Sequence, residues 1–356
     1  MKPHVQCPKE SLPLRCPDCL TRREFLRKAC WGAVGLGLGS RWGWTQAPQG
    51  DLAKTIPVGA LRPRPYVRMM GAVVRHRPPY WLGWPGTSYP LEEKRQEYTS
   101  RSREAARRLH IRLDLAEKPL EDEGAVNAFV AQVKAERPHG VLLILQHLGV
   151  WPWAERIAGA GVPTLVFSPI GTSFTGHIAR FSRQPGVYVL STLDFGAVEQ
   201  ALRMVKAKRM FEESLVLVVA GKERRETVLE RLGTKVRYLP RQTFPDLFDK
   251  MPVTDEVRSI AEQMKRGARK IVEPTEQDIL NAARSYTTAK RLMWDEGAHA
   301  ITMDCLGMVA GRLVPTPPCM GWSILQDHGV TAGCEADLFA AISLMLTSYL
   351  FEKPGF

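Results

Sequence analysis

One five-residue run, 141–145, is apolar at every position: Val-Leu-Leu-Ile-Leu. A strand with one face in solvent alternates apolar and polar residues, so an unbroken apolar run is typical of a strand that is covered on both faces. Strands of this kind belong to parallel sheets sandwiched between helices. The run therefore predicts an α/β fold with a buried parallel sheet.

From about Pro65 onward, short apolar runs alternate with longer amphipathic segments, and a second series of them begins after Gln184-Pro185-Gly186. Strand and helix thus alternate through both series. In the second series, residues 226–232 are predicted to be helical. The alternation predicts two doubly wound, mostly parallel-sheet (Rossmann-like) domains, the first over 60–188 and the second over 189–356.

The first 50 residues have a different character. The segment Thr21-Arg22-Arg23-Glu24-Phe25-Leu26-Arg27-Lys28 is followed by a Gly-rich run, 29–39, without any charge. This order is typical of a twin-arginine signal peptide, which makes the twin-arginine translocase a partner and places the mature chain in the periplasm or outside the cell. Since no apolar run reaches the roughly 20 residues that span a bilayer, we expect no stable membrane insertion.

Seven cysteines are divided between the leader and the mature chain. Ahead of the arginine pair stand four residues with metal-ligand chemistry: His4, Cys7, Cys16 and Cys19. They either close a zinc site or are incidental thiols of a solvated leader. The mature part keeps Cys305, Cys319 and Cys334, an odd number without a disulfide framework, which suits folding in a reducing cytoplasm before export.

The formal net charge of +12 does not predict a nucleic-acid partner. The leader alone contributes eight Lys/Arg against three acidic residues. In the richest basic stretch, 94–112, Lys and Arg alternate with Glu in the manner of a solvated helix face. We therefore expect no nucleic-acid binding.

Polar residues follow two of the predicted strands. Glu335 and Asp337 stand between the predicted strand 330–334 and an apolar helix, and Gln146 and His147 directly follow 141–145. Ligands of open α/β sheets bind beyond the carboxyl ends of the strands, so Gln146 and His147 are predicted to bind substrate. Asp337 either caps its helix, with Glu335 favouring the helix dipole, or, if the helix start is buried, both carboxylates hold a cation.

Four motifs in order carry a family resemblance: Ser285-Tyr286-(x)3-Lys290, Ala300-Ile301-Thr302-Met303-Asp304-Cys305, Pro318-Cys319 with Leu325-(x)3-Gly329, and Gly333-Cys334-Glu335-Ala336-Asp337-Leu338. They resemble the L-fucose and L-arabinose isomerase family. The resemblance implies an aldose–ketose isomerase of carbohydrate metabolism that acts on a monosaccharide with Mn²⁺ or another divalent metal. It assigns Glu335 and Asp337 as catalytic residues and as metal ligands, and it implies a homo-oligomer. Asp304, at the end of the strand that precedes Met308, is either a substitute metal ligand or a strand-end turn residue.

Two departures from the family affect this expectation. Met308 stands where the family has a ligating Glu, and a thioether cannot replace a carboxylate on Mn²⁺. The family's third domain, with its metal-binding His, would begin where this chain ends, so we expect a truncated or non-catalytic relative.

The alternative is an exported sugar-binding protein of two α/β domains without catalysis. Receptors of that kind close around a ligand by a hinge, and their chain crosses between domains two or three times. The order of elements here indicates a single crossing near residue 188, which favours the isomerase-like interpretation.

Overall fold

The computed structural model describes residues 51–78, 90–169 and 171–355. Two compact units, Met1–Ala47 and Pro48–Phe356, divide the chain, and every described residue belongs to the second unit. The arginine pair and the four leader cysteines lie outside the described residues. Among the helices of the described ranges, none is long and apolar enough to cross a membrane.

The first lobe contains a five-stranded sheet in which all neighbouring strands are parallel, in the order β2-β1-β3-β4-β5. Its strands are β1 (Val67–Val74), β2 (Ile111–Leu115), β3 (Gly140–Leu145), β4 (Thr164–Phe167) and β5 (Val187–Leu190). Its helices are α1 (Leu91–Arg108), α2 (Glu123–Glu136), α3 (Trp151–Ala158) and α4 (Thr175–Phe181), and α5 (Gly196–Glu213) follows β5. Every residue of β3 is buried, as the apolar run predicts.

The second lobe contains a five-stranded sheet in the order β10-β9-β6-β8-β7. Its strands are β6 (Leu215–Val219), β7 (Arg225–Leu229), β8 (Thr234–Leu239), β9 (Ala300–Met303) and β10 (Thr331–Cys334). Its helices are α6 (Thr243–Lys250), α7 (Asp255–Gly267), α8 (Glu276–Glu296), α9 (Cys305–Ala310), α10 (Cys319–Asp327) and α11 (Leu338–Phe351). All neighbouring strands are parallel except β7 and β8.

Helices cover both faces of each sheet, and this confirms the predicted fold class of two doubly wound α/β lobes. In β3, Leu142 and Ile144 pack in a core with residues of α1 and α5, while Leu143 and Leu145 pack on the opposite face with residues of α2 and α3. The predicted helix at 226–232 is wrong. Residues 225–229 form the antiparallel edge strand β7, which is held by contacts such as the bond from Arg237 Nε to Glu226 Oε1 (2.5 Å).

Helix α5 belongs to the cores of both lobes. Leu202 and Val205 pack with the first sheet, whereas Met210 and Phe211 pack with Val216 and other residues of the second lobe. A second connection lies at the start of the described chain, because Ile56 packs in the core of the second lobe and accepts a hydrogen bond from Lys290 Nζ (2.8 Å). The chain therefore crosses between the lobes twice. The single crossing expected from the order of elements is wrong.

The lobes meet at the amino-terminal edges of their sheets. Val205 of α5 lies against Gly140, the first residue of β3, and Arg203 forms an ion pair (2.8 Å) with Glu352 at the end of α11. Helix α11 returns from the carboxyl end of β10, so its last turn lies at the amino-terminal edge of the second sheet. As a result, the carboxyl edge of each sheet faces away from the junction.

Two histidines occupy matching positions at this junction. His139 precedes β3, and its Nδ1 accepts a hydrogen bond from the backbone N of Arg68 (3.0 Å). His299 precedes β9, and its Nδ1 accepts from the backbone N of Leu215 (3.1 Å). Each ring must be deprotonated at Nδ1 to accept such a bond. Burial lowers the pKa of His139, with the charge of Arg209 as a second cause, and burial also lowers the pKa of His299.

We predict that the stability of the protein falls on acidification because of these two rings. A lowered pKa in the folded state means that the unfolded chain binds more protons, so the stabilisation is complete above the ordinary value of about 6.5 and is lost as the pH falls through the lowered values. Each proton contributes a slope of at most about 1.4 kcal/mol per pH unit. Urea denaturation between pH 8 and pH 5 measures this slope.

The matched variants replace both rings by Asn, whose side-chain oxygen accepts a hydrogen bond without titrating. His139→Asn/His299→Asn should flatten the dependence of the free energy of unfolding on pH, and His110→Asn, at an exposed position, should not. An unchanged slope in the double variant would show that other groups control the acid transition.

Candidate functional site

The first sheet reverses its strand order at β1, which has β2 on one side and β3 on the other. Ligands of open α/β sheets bind at such a point, in the crevice beyond the carboxyl ends of the two strands. Gln146 and His147 follow β3, as expected, and Arg75 and His76 follow β1. The structure thus brings the predicted substrate-binding residues to the switch point of the first sheet.

Gln146 joins three elements at the base of this crevice. Its side chain is fully buried, and its Nε2 donates to the backbone oxygen of Leu91 (2.9 Å), the first residue of α1. Its backbone N donates to the oxygen of Val74 (3.0 Å) at the end of β1. The side chain therefore has a structural role in holding α1 against the sheet.

Three aromatic rings lie close together in this part of the first lobe: His76 after β1, His147 after β3 and Trp153 in α3. We call them the ring cluster. The rings of His76 and His147 have centroids 4.4 Å apart in an edge-on arrangement, and His76 and Trp153 are 5.0 Å apart. All three side chains are half-buried. His147 Nδ1 accepts from the backbone N of Gly149 (2.8 Å), so the neutral ring carries its hydrogen on Nε2.

Charged side chains brace the same edge. Arg75 is buried, and its Nε donates to Glu121 Oε1 (2.8 Å), while its Nη1 lies 3.5 Å from Glu92 Oε2. Trp153 Nε1 donates to Glu123 Oε1 (2.7 Å). A buried guanidinium needs such partners because an unpaired buried charge is costly. Trp153 is thus oriented by Glu123, and Arg75 at the end of β1 is paired with two carboxylates.

A second group lies on the neighbouring loop after β4. Trp151 Nε1 donates to the oxygen of Thr172 (2.8 Å), and the hydroxyls of Ser168 and Thr172 are 2.8 Å apart. The ring of Trp151 stacks on His177 at a centroid distance of 5.4 Å. Sequence reasoning missed His76, Trp153 and His177. His76 could have been found by the strand-end rule that found Gln146, but Trp153 and His177 lie inside helices and carry no such signal.

Asp304 lies at the switch point of the second sheet, where β6 separates β8 from β9. Its Oδ1 accepts from the backbone N of Gly307 (3.1 Å) as the cap of α9, and its other oxygen forms an ion pair with Arg241. Met308, in the same helix, is fully buried in the core of the second lobe. Asp304 is thus satisfied by a helix cap and an ion pair.

Asp337 is the cap of α11, and its Oδ1 accepts from the backbone N of Ala340 (2.9 Å). Both Asp337 and Glu335 are exposed, so the buried helix start that the apolar sequence suggested is wrong. Solvated carboxylates need no cation. Glu335 and Ala336 both have left-handed backbones (φ 59° and 56°) and form the turn between β10 and the cap.

The expected manganese site is corrected by this geometry. Within residues 51–78, 90–169 and 171–355, no group of three His, Cys, Asp or Glu side chains is arranged to hold a metal ion. Gln146 and His147 also lie on the carboxyl edge of one lobe, and Glu335 and Asp337 on that of the other, and these edges face away from the junction. The two predicted sets therefore do not share a crevice, and their individual roles in substrate binding or catalysis stay predictions.

No family model matches this chain, and no curated protein matches it either. Three solved structures show a distant likeness. A carbohydrate transporter from Acidothermus cellulolyticus 11B in complex with myo-inositol shares 10% identity, with 82% of this chain and 89% of that chain covered and a TM-score of 0.24. An ABC sugar transporter (periplasmic sugar binding protein) from Legionella pneumophila shares 11% identity over 76% of this chain and 99% of that one, with a TM-score of 0.23.

The third is a mutant of the XylFII–LytSN complex, with 12% identity, coverage of 76% of this chain and 96% of that one, and a TM-score of 0.23. TM-scores this low do not establish a shared overall structure. The resemblance to the L-fucose and L-arabinose isomerase family is wrong as an assignment, because no family model matches the chain. The individual roles that the resemblance implied for Glu335 and Asp337 stay predictions.

The capping geometry of Asp337 makes a stability prediction. Asp337→Ala removes the acceptor for Ala340 N–H and should lower the free energy of unfolding by about 1 kcal/mol, whereas Asp337→Asn should change it little, since Asn caps about as well as Asp. Thermal denaturation of both variants, with and without millimolar Mn²⁺, tests this. A melting temperature that rises with Mn²⁺ in the wild type and not in Asp337→Asn would contradict the cap as the sole role.

Proposed function

We propose that this chain is an exported sugar-binding protein without catalytic activity, with its ligand site at the carboxyl ends of β1 and β3 in the first lobe. The observation that carries the proposal is the ring cluster at the switch point of the first sheet. A monosaccharide or cyclic polyol is the ligand class.

The chemistry of the ring cluster suits a polyhydroxylated ligand. A sugar presents hydroxyl groups around its edge and C–H groups on its faces, so it needs planar hydrogen-bonding groups beside an aromatic surface. His147 contributes a planar imidazole whose orientation is fixed by the bond from Gly149, and the indole of Trp153 contributes an apolar face whose orientation is fixed by its bond to Glu123. Arg75 is already paired with Glu92 and Glu121, so the site does not require a charged ligand.

The arrangement of the lobes determines how such a protein would bind. A hinge receptor closes two lobes over one ligand, which requires both sets of binding loops to face a common cleft. Here the carboxyl edges face away from the junction, and α5 packs in both cores. We therefore propose that the sugar binds within the first lobe and that the second lobe does not close over it.

Calorimetric titration and thermal shift with a panel of aldoses, ketoses and myo-inositol test the site. We expect one or more of them to raise the melting temperature by mass action, and His147→Ala or Trp153→Ala to weaken binding by about tenfold or more, which is about 1.4 kcal/mol. Asp337→Asn, on the other lobe, is the matched control and should bind like the wild type. Failure of the whole panel at millimolar concentration, or equal loss in the control, would contradict the proposal.

Export by the twin-arginine pathway is part of the proposal and rests on Arg22, Arg23 and the charge-free run after them, which lie outside the described residues. The twin-arginine receptor reads the arginine pair itself, so Arg22→Lys/Arg23→Lys should keep the protein in the cytoplasm. Fractionation of cells that express each form measures this. Normal export of the double variant would remove the twin-arginine assignment but not the sugar site.

The homo-oligomer also stays a prediction. Leu346 and Phe351 on α11 are 46% and 58% exposed, and apolar side chains of this size on one helix are compatible with a surface that a second copy covers.

A further inference from the structure

The outer edge of the first sheet is open at β2. This strand ends the sheet order, and among the strands that the structure describes it pairs only with β1. The backbone N of Ala116, directly after β2, donates to the oxygen of Gly71 in β1 (2.8 Å). Backbone groups alternate between the two sides of a strand, so the N–H and C=O groups of Ile111, Leu113 and Leu115 point outward.

A groove with a volume of about 420 Å³ lies beside this edge, between β2 and α1. Its floor is apolar, because Ile111 and Leu113 pack in the core that α1 covers. On the side of α1 the groove is lined by Ser100 and Ala106, whose small side chains leave space next to the edge. An extended segment that lay here would have backbone partners on β2 and an apolar surface beneath it.

Three arginines also line the groove: Arg103 and Arg107 on α1 and Arg112 on β2. Arg103 and Arg107 are exposed, and neither forms an ion pair within the described part of the chain. Arg101 and Arg108 of the same helix, by contrast, pair with glutamates of α1. The two arginines of the groove therefore have charges that the described residues do not balance.

Asp114 is the carboxylate that pairs with Arg112, and it has a second partner. Its Oδ1 accepts from Arg112 Nε (3.0 Å), and its Oδ2 accepts from Arg68 Nε (2.8 Å). One carboxylate thus faces two guanidinium groups. With Arg103 and Arg107 on the other side, the groove keeps a net positive charge.

The position of Arg103 is not explained by the stability of α1. Arg103 and Arg107 are four residues apart on one helix, where like charges repel each other. Arg107 lies in the last turn, where the helix dipole favours a cation, but Arg103 lies one turn earlier. The cation at this position therefore fits a role in binding an anionic group.

We propose that β2 and the groove beside it form a docking edge for an extended acidic segment of a partner protein. The segment adds a strand to the first sheet, a mode of recognition in which backbone bonds give affinity and side-chain contacts give specificity. Its backbone pairs with the outward groups of Ile111, Leu113 and Leu115, and its carboxylates on the side of α1 pair with Arg103 and Arg107. No residue of the ring cluster takes part, so the proposal does not depend on sugar binding.

The charge of the groove disfavours two other occupants. A second copy that paired through its own β2 would bring the same arginines together, and charges of one sign on a strand edge discourage such pairing. The leader carries eight Lys/Arg against three acidic residues, so its charge has the wrong sign for the groove. An acidic segment of another protein has both the sign and the extended form that the edge requires.

Fluorescence anisotropy with the full chain and a labelled peptide of four Glu-Thr repeats tests the docking edge. We expect this peptide to bind. A Lys-Thr peptide of equal length should not bind because its charge is wrong, and the Glu-Thr peptide N-methylated at every residue should not bind because it cannot donate backbone hydrogen bonds. Hydrogen exchange at the amides of Ile111, Leu113 and Leu115 should slow when the Glu-Thr peptide is bound.

Arg103→Gln/Arg107→Gln should weaken binding by about fivefold or more, since two ion pairs are lost. The matched control, Arg266→Gln/Arg269→Gln, removes the same charge at exposed positions of the second lobe and should bind like the wild type. Equal binding of the N-methylated peptide would reduce the groove to a charged patch, and unchanged binding by the groove variant would assign the peptide to the basic leader. Either result, or no binding of the Glu-Thr peptide at millimolar concentration, overturns the proposal, and none of them depends on the sugar panel.

Discussion

The packing of one continuous helix in two hydrophobic cores determines how the rest of the molecule is arranged. The first half of α5 covers the first sheet and its last turns cover the second, so the helix cannot bend or fray without exposing apolar residues of one lobe or the other. Helix α5 runs antiparallel to the strands of the first sheet, and β6 follows it directly. The helix therefore brings the amino-terminal edges of both sheets together. The return of Ile56 to the second core adds an independent connection. These two connections keep the carboxyl edges of the two sheets apart, and with them the residues that each edge carries.

The fold class could be predicted from the sequence because burial on both faces leaves a direct trace. The run 141–145 has no polar residue, and it lies in a strand whose residues are all buried. The sequence of strand β7 shows no comparable apolar run. Its residues are mostly exposed on both faces, so its sequence shows neither the two-residue alternation of a strand nor the 3.6-residue repeat of a helix. Pairing with β8 is what makes this segment a strand. The second crossing was missed because the segment before Leu61 forms only one short 3-10 turn and reaches the core of the second lobe through the buried side chain of Ile56.

The candidate sites show what local sequence can and cannot convey. The rule that polar residues after a strand lie at a ligand-binding edge placed Gln146 and His147 correctly at the switch point, although their role stays a prediction. The same rule could not reveal that Gln146 is used to anchor Leu91, or that Trp153 reaches His76 from within a helix. For Asp337 the sequence allowed either a helix cap or a metal ligand. The exposure of the side chain, which only the structure gives, distinguishes the two. The apolar composition of α11 suggested a buried start, but its first turn lies in solvent, where Asp337 bonds Ala340.

Strand β7 has a further consequence for the behaviour of the protein in a crowded solution. A parallel sheet that ended at β8 would offer a row of unpaired backbone groups to any other extended chain, and such edges promote aggregation. The antiparallel β7 covers that row and is itself short, with Arg225 stacked over Tyr238 at 3.6 Å and Glu226 bonded to Arg237. Charged side chains at the rim discourage the addition of another strand. The edge of the second sheet is therefore less open to pairing with a strand of another copy of the chain.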